Sequence, residues 1–408
     1  MTDRRKIILL ICDGMGDRPV DDFGGKTPLQ EAETPNMDSL ASMGQTGIMD
    51  VIRPGVTPGS DTAHLSLLGY DTEAIYTGRG PFEAAGTGIH VQGGDVALRC
   101  NFGTIENGRI VDRRAGRINK GTSEIAKSID GMAIEDVKVI FREGVEHRAA
   151  LVLRGPGLHP DVSDIDPHTL AAPLEAAPIS PDAKKTARIL NKFMKKSMDI
   201  LGEHPVNIQR KNAGEMPANI ILPRGAGIVP TIMPINEATG MKVGCVAGVT
   251  LVKGVCRTAG LYIEDVEGAT GGVDTNILAK VKKAVEMLDQ QDMVMVNIKA
   301  PDLAGHDGDP HEKTRIIERI DAAVGNLLDN MPQGTILAVT ADHSTPCSYQ
   351  EHTGDPVPLV IYGHGQRKDN SSQYDEVACS HGGIGRILGS DLMPILKNMG
   401  GYSGKYGS

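Results

Sequence analysis

KIILLICDGMGD, residues 6–17, decides the fold. The run Ile7–Cys12 is apolar without a break and ends in an aspartate followed by two closely spaced glycines. That pattern marks a strand buried on both faces that runs into a glycine-rich turn. Asp13 therefore stands at the carboxyl end of the strand, the edge at which open α/β sheets bind ligands.

Working outward, TPNMDSLASMG (34–44) reads as a helix with Thr34 as cap, Pro35 at its first position and Gly44 as its stop. Toward the other end of the chain, VDTNILAKVKKAVEMLDQ is an amphipathic helix, DMVMVNIKAPD a strand and HEKTRIIERIDAAVGNLLDNM a helix. TILAVTADHS and PVPLVIY follow as further strands. Strands and helices in alternation, with continuously apolar strands, predict an α/β fold built on a mostly parallel sheet covered by helices on both faces. The middle of the chain differs. VALRCNFGTI, GRIVDRRAGRI, VKVIFREG and HRAALVLRG are short segments joined by ENG, EGVE and RGPG turns, the style of antiparallel hairpins, and a long helix follows from about 180 to 201. The expected organisation is a discontinuous catalytic domain, 1–83 and 226–408, interrupted by a smaller inserted α+β domain, 84–225.

Composition narrows the function. The formal net charge is −10, no basic run exceeds a few residues, Trp is absent and aromatics make up 3% of the chain, which argues against a nucleic-acid partner. The six cysteines lack CxxC spacing, no apolar run is long enough for a membrane span, and the start has too short an apolar stretch for a signal peptide. The expectation is a cytoplasmic protein with reduced thiols, no membrane partner and a small-molecule substrate.

Four further segments carry chemistry. TPGSDTAHLSLLGYD (57–71) presents Ser60 behind Pro58 and Gly59, with His64 beyond it. NIKAPDLAGHDGD places Asp302 and His306 four apart in the loop after a strand. AVTADHS puts Asp342 and His343 at the end of the next, and His352 in YQEHTGDPVPLV lies just ahead of another. Taken singly, each has an ordinary explanation: a serine capping a helix, aspartates forming turns, histidines packing in a core. Together with Asp13 they converge on one edge of one sheet. Three unpaired carboxylates in one pocket would repel each other and become partly protonated, whereas two divalent cations hold all three ionised. Mixed carboxylate and imidazole donors suit Mn²⁺ as a compromise, with Mg²⁺, Co²⁺ and Zn²⁺ as alternatives. A metal pair clamps the attacking and leaving oxygens of displacement at phosphorus, and Ser60 at a helix start is placed to attack.

On LLICDGMGDRP, TPNMDSLASMGQTG, TPGSDTAHLSLLGYD, VNIKAPDLAGHDGD, TADHSTP and EHTGDPVPLVIYG, in that order, the chain resembles the phosphoglycerate mutases that do not use bisphosphoglycerate. The likeness is to their archaeal-type form, within the alkaline phosphatase superfamily. The resemblance implies an alkaline-phosphatase-like sheet and interconversion of 3-phosphoglycerate and 2-phosphoglycerate in glycolysis and gluconeogenesis. Ser60 would take the phosphoryl group as a phosphoserine and return it to the other hydroxyl of glycerate. It further implies two metal sets: Asp302, His306 and His352 for one ion, and Asp13, Ser60, Asp342 and His343 for the other, with His64 in a supporting role.

A trianionic substrate needs cations and a closed cleft. The candidates are His147 and Arg148 in GVEHRA, Asp164 in SDIDPH, Arg224 in LPRGAG and Lys253 in TLVKGVC, with His147 and Asp164 as acid and base toward the substrate hydroxyls. Arg99, Arg113 and Arg117 rank below them, since a charged hairpin face is more often solvated. Where the bacterial form of the family opens the matching loop with an Arg-Asp pair, this chain has Ser163-Asp164. The alternatives are a phosphatase, phosphonate hydrolase or phosphodiesterase with the same ligands, and a metal-stabilised binding protein without catalysis.

Overall fold

The computed structural model describes residues 4–405 and 407. Its strands, in chain order, are β1 (Ile7–Cys12), β2 (Gln45–Asp50), β3 (Val96–Glu106), β4 (Arg109–Asp112), β5 (Ala133–Ile134), β6 (Val137–Glu143) and β7 (Arg148–Arg154). They continue with β8 (Ile220–Gly227), β9 (Val243–Val246), β10 (Tyr262–Ile263), β11 (Met293–Ile298), β12 (Ile336–Thr340), β13 (Val357–Gly363) and β14 (Gly385–Leu388). The chain divides into two compact units, one made of Met1–Ile75 and Ile232–Ser408 and the other of Tyr76–Thr231.

Among the described residues, the first unit holds an eight-stranded sheet in the order β10-β9-β11-β1-β12-β13-β2-β14. β1 lies inside it and is fully buried along its length, parallel to β11 from Ile7↔Met293 and to β12 from Ile7↔Ile336. Its unbroken apolar sequence follows from that position, because both faces carry helices and neither meets water. The helices Ile277–Met287 and Pro310–Asn330 begin as their sequences dictate: Asn276 accepts from the Ala279 N–H, and Asp309 accepts from the Glu312 N–H ahead of Pro310.

Two expectations change. Thr34 makes no side-chain cap for the helix Pro35–Met43; the carboxylate of Asp321 accepts from the N–H groups of Asn36 and Met37 instead. A longer-range acid thus displaces the local hydroxyl at the positive end of the helix. Val357–Gly363 is a strand, but it runs antiparallel to both β12 and β2. Parallel neighbours need a crossover with room for a helix, and no helix of the structure lies between Thr340 and Val357.

The second unit is an antiparallel sheet in the order β4-β3-β7-β6-β5, with β8 added to β3. One face packs Phe102 and Phe141 against Leu190 and Phe193 of the helix Lys184–Gly202. The other carries the helix Gly80–Gly86, whose Ala84 packs on Ala97, Ala150 and Val152. That helix and the end of β8 therefore belong to this unit. Among the described residues, no helix is long and apolar enough to cross a membrane.

Behind the carboxyl edge of the first sheet, Lys313 is fully buried. It donates to Asp17 Oδ2 at 2.7 Å, Thr345 O at 2.9 Å and Gly16 O at 3.1 Å, which ties the turn after β1 to the turn after β12. Removing one member of such a pair strands the other charge without water. Lys313→Met is expected to lower the stability of the chain by about 3–5 kcal/mol, read as a shift of the urea midpoint.

Candidate metal centre and cationic cluster

Three neighbouring parallel strands deliver the acidic residues. Asp13 follows β1, Asp342 follows β12, and Asp302 lies just beyond β11. Asp302 and His306 sit in a helix, Ala300–Asp307, rather than in a loop. Pro301 in the first turn and Gly308 in the left-handed conformation after the last bound this element. The four-residue spacing therefore places both side chains on one helical face, with His306 Nε2 3.5 Å from Asp302 Oδ1. Gly14 makes the crowding possible: its φ is +66°, and a Cβ there would stand 2.6 Å from the Cβ of Asp302.

The antiparallel course of β13 explains His352. A parallel strand would have started at the far edge of the sheet; running the other way, β13 starts beside the end of β12. His352 Nε2 reaches 3.3 Å from Asp302 Oδ1, and its ring stacks on His343 with centroids 3.6 Å apart. His343 Nε2 lies 3.5 Å from Asp13 Oδ1, 3.4 Å from Asp342 Oδ2 and 3.5 Å from the Ser60 hydroxyl. Ser60 is the first residue of the helix Ser60–Leu67 and is buried. Two groups of ligand atoms lie close enough to share an ion: Asp302, His343 and His352, and Asp13, His64 and Asp342.

The histidines are oriented alike. His306 Nδ1 meets Gln350 O at 2.7 Å, His352 Nδ1 meets Pro58 O at 2.9 Å, and His64 Nδ1 meets Ser60 O at 2.7 Å. His343 Nδ1 meets the hydroxyl of Thr345, which itself donates to Asp302 Oδ1. A carbonyl only accepts, so Nδ1 carries the proton at the first three and Nε2 is left as a lone-pair donor aimed inward. This is the arrangement that outer hydrogen bonds impose on metal-ligating imidazoles. Asp342 Oδ2 is buried with no hydrogen-bond partner among the described residues. A lone-pair-rich pocket with an orphaned carboxylate oxygen fits divalent cations.

Charge within the pocket is unevenly shared. Burial, and then the neighbouring Asp13, push the Asp342 carboxyl well above its usual range. Burial would raise Asp302 as well, but the charge of Lys299 beside it outweighs this and holds the carboxyl well below its usual range. Lys299 donates to Asp13 Oδ1 at 2.8 Å and Asp302 Oδ2 at 2.7 Å, with Ser60 Oγ at 3.4 Å. Asn297 donates to Asp13 Oδ2 at 2.9 Å. Sequence reasoning passed over both residues. The available signal was a lysine three positions before Asp302, at the end of an apolar strand.

Of the substrate-binding candidates, Lys253 pairs with Asp265 in the first unit, in the helix Thr250–Thr258. The others lie in the second unit. Arg224 faces Asp166 at 3.6 Å and His168, and Arg113 holds the same buried Asp166 with two hydrogen bonds. Asp164 accepts from the Gly225 N–H and meets His168, while His147 stands beside Glu146. Asp166 also escaped the sequence reading, which took Asp164 from the same SDID run. Arg99 is pushed down to about 9, first by burial and then, against the pull of Glu83, by Arg79, Arg224 and Arg148. Burial, with Arg148, Arg114, Arg99 and Arg117 around it, drives His147 down to about 4. The cluster is short of anions.

Residues 41–207 match the family described as 2,3-bisphosphoglycerate-independent phosphoglycerate mutase, and residues 142–357 match type I phosphodiesterase / nucleotide pyrophosphatase. The 2,3-bisphosphoglycerate-independent phosphoglycerate mutase 1 of Methanothermobacter thermautotrophicus is 50% identical, over 99% of this chain and 100% of its own length. The chain belongs to the 2,3-bisphosphoglycerate-independent phosphoglycerate mutases. The mutase of that name from Thermoplasma volcanium is 46% identical over the full length of both chains. Among solved structures, the cofactor-independent phosphoglycerate mutase of Thermoplasma acidophilum superposes with a TM-score of 0.72 at 40% identity, covering 97% of this chain and 100% of that one. The PH0037 protein of Pyrococcus horikoshii gives 0.89 at 39% identity, with both chains covered completely.

In this member of the mutase family, Asp302→Ala is expected to lower bound divalent metal by one ion per chain, counted by elemental analysis after gel filtration. The His147 C2–H resonance is expected to titrate with a midpoint of about 4. The unfolded chain then binds more protons than the folded one between the ordinary histidine value and about 4, so this residue's contribution to stability is present above that window and is lost as pH falls through it.

Proposed function

We propose that this chain interconverts 3-phosphoglycerate and 2-phosphoglycerate through a phosphoserine on Ser60 at a two-metal site, in the cytoplasm. The observation that carries the reading is the buried hydroxyl of Ser60 at a helix N-terminus, with His343 Nε2 and Lys299 Nζ both at its oxygen. In this reading Asp302, His306 and His352 hold one ion, and Asp13, Ser60, Asp342 and His343 the other, with Mn²⁺ as the best match to the donors. Ions bound there would polarise the serine hydroxyl and neutralise phosphoryl oxygens.

The Ser60 Oγ–P bond forms as the ester O–P bond of the substrate breaks, and the serine proton ends on the released glycerate hydroxyl. The second hydroxyl of glycerate then attacks the same phosphorus and returns a proton to Ser60. In the same reading Arg148, Arg224 and Lys253 bind the substrate's negative groups. His147, kept neutral by burial and then by its arginine neighbours, and Asp164 take and give the protons of the substrate hydroxyls. The phosphodiesterase match over residues 142–357 supports one rival, hydrolysis, in which water rather than glycerate takes the phosphoryl group.

Purified protein incubated with 3-phosphoglycerate and Mn²⁺ and followed by ³¹P NMR separates the two. The mutase reading expects 2-phosphoglycerate to appear with total phosphoester constant, and chelator to stop the reaction. Accumulating inorganic phosphate without 2-phosphoglycerate would overturn it. Ser60→Ala is expected to reduce the rate by at least about a thousandfold with an unchanged circular dichroism spectrum.

A further inference from the structure

We propose that Lys299 is a catalytic residue, a built-in cation that joins the two ligand groups and contacts the attacking oxygen of Ser60; the inference rests on the phosphoserine reading above. An ammonium has three N–H donors. Two are committed to carboxylates, one from each group: Asp13 Oδ1 at 2.8 Å and Asp302 Oδ2 at 2.7 Å. The third has the Ser60 hydroxyl oxygen at 3.4 Å.

The choice of oxygens sets this lysine apart from a plain ion pair. On Asp302 it takes Oδ2 and leaves Oδ1 facing His306 and His352. On Asp13 it shares Oδ1 with His343, while Asn297 occupies Oδ2. Its position is fixed from behind, because residue 299 directly follows β11 and caps the helix Ala300–Asp307. The side chain is 15% exposed, and burial without partners would disfavour its charge. Its two short contacts to Asp13 and Asp302 supply those partners.

The bond to Ser60 is long while the oxygen is a neutral hydroxyl. It strengthens as negative charge develops on Oγ and on the phosphoryl group being transferred. An interaction made mainly in the transition state raises the rate constant and leaves substrate affinity nearly unchanged. In the transfer itself, Lys299 forms and breaks no covalent bond: the Oγ–P bond forms, the ester O–P bond breaks, and the serine proton passes to glycerate as before.

The test compares Lys299→Met, Lys299→Gln and Lys299→Arg with the wild-type chain, all loaded with Mn²⁺. Elemental analysis gives ions per chain, and acid-quenched single turnovers with 3-phosphoglycerate give the rate at which phosphate appears on the Ser60 peptide by mass spectrometry. Expected are two ions in every variant, phosphoserine formation slower by about a hundredfold in Met and Gln, partial recovery in Arg, and an apparent substrate constant within about twofold of wild type. Rates within tenfold of wild type in Met or Gln would overturn the assignment, as would a loss that tracks missing ions. Should Lys299→Met not fold, Lys299→Gln and Lys299→Arg decide alone. A wild-type chain that acquires no phosphate on Ser60 would instead bring down the phosphoserine reading itself.

Discussion

The structure turns on three buried carboxylates brought to one edge of a sheet. Asp13, Asp302 and Asp342 stand beyond the ends of the adjacent parallel strands β1, β11 and β12, and ligand atoms of Asp13 and Asp342 lie within 4.8 Å of one another. Two like charges at that range repel by at least roughly 3 kcal/mol at an effective dielectric of about 20. The chain itself supplies only part of the remedy. Lys299 neutralises one side of Asp13 and Asp302, Asn297 hydrogen-bonds Asp13, and burial, then Asp13, push the Asp342 carboxyl well above its usual range. The remaining demand for positive charge makes this edge a candidate cation site, and the helix Ser60–Leu67 brings the Ser60 hydroxyl to that place.

The acidic ends and the imidazoles satisfy different requirements. The carboxylates arrive from strand ends because parallel strands share one direction, so their final residues converge. Three of the imidazoles, those of His352, His64 and His306, are aimed by carbonyl groups: Pro58 O, Ser60 O and Gln350 O each fix an Nδ1 proton. Pro58 thereby does two jobs, since the residue that shapes the turn before Ser60 also orients His352. In the second unit the balance is reversed. Arg79, Arg99, Arg148 and Arg224 raise each other's electrostatic cost, and Glu83 and Asp166 offset only part of it. An anionic ligand would relieve one excess, and divalent cations would relieve the other.

Much of this was legible in the sequence. The IILLIC run names the central strand because six apolar residues in a row have no solvent-facing side, and the hairpin segments announce themselves by their turns. The direction of β13 was not legible from its own residues, since VPLVIYG reads the same in either orientation. It follows from the segment before it, which lacks a helix to carry a parallel crossover. Asp13, Asp302, His306, Asp342, His343 and His352 were visible as strand-end or loop acids and imidazoles, although Asp302 and His306 belong to the helix Ala300–Asp307, and His64, grouped with Asp13 and Asp342, was read only as a supporting residue. Lys299 was hidden for another reason. A lysine after an apolar strand is ordinarily a solvated end, and only the fold shows three oxygens around it. Asp166 was masked by its neighbour Asp164, because sequence cannot say which of two acids two residues apart is buried.

The central claim, that two divalent cations complete this carboxylate-rich edge, meets its most direct test in anomalous diffraction from crystals grown with Mn²⁺ and recorded on both sides of the manganese edge. The account predicts two manganese peaks, one touching Asp302 and the inward Nε2 atoms of His306 and His352, the other touching Asp13, Asp342, His343 and Ser60. Well-ordered side chains with no manganese peak among them, or manganese bound only elsewhere on the chain, would contradict it.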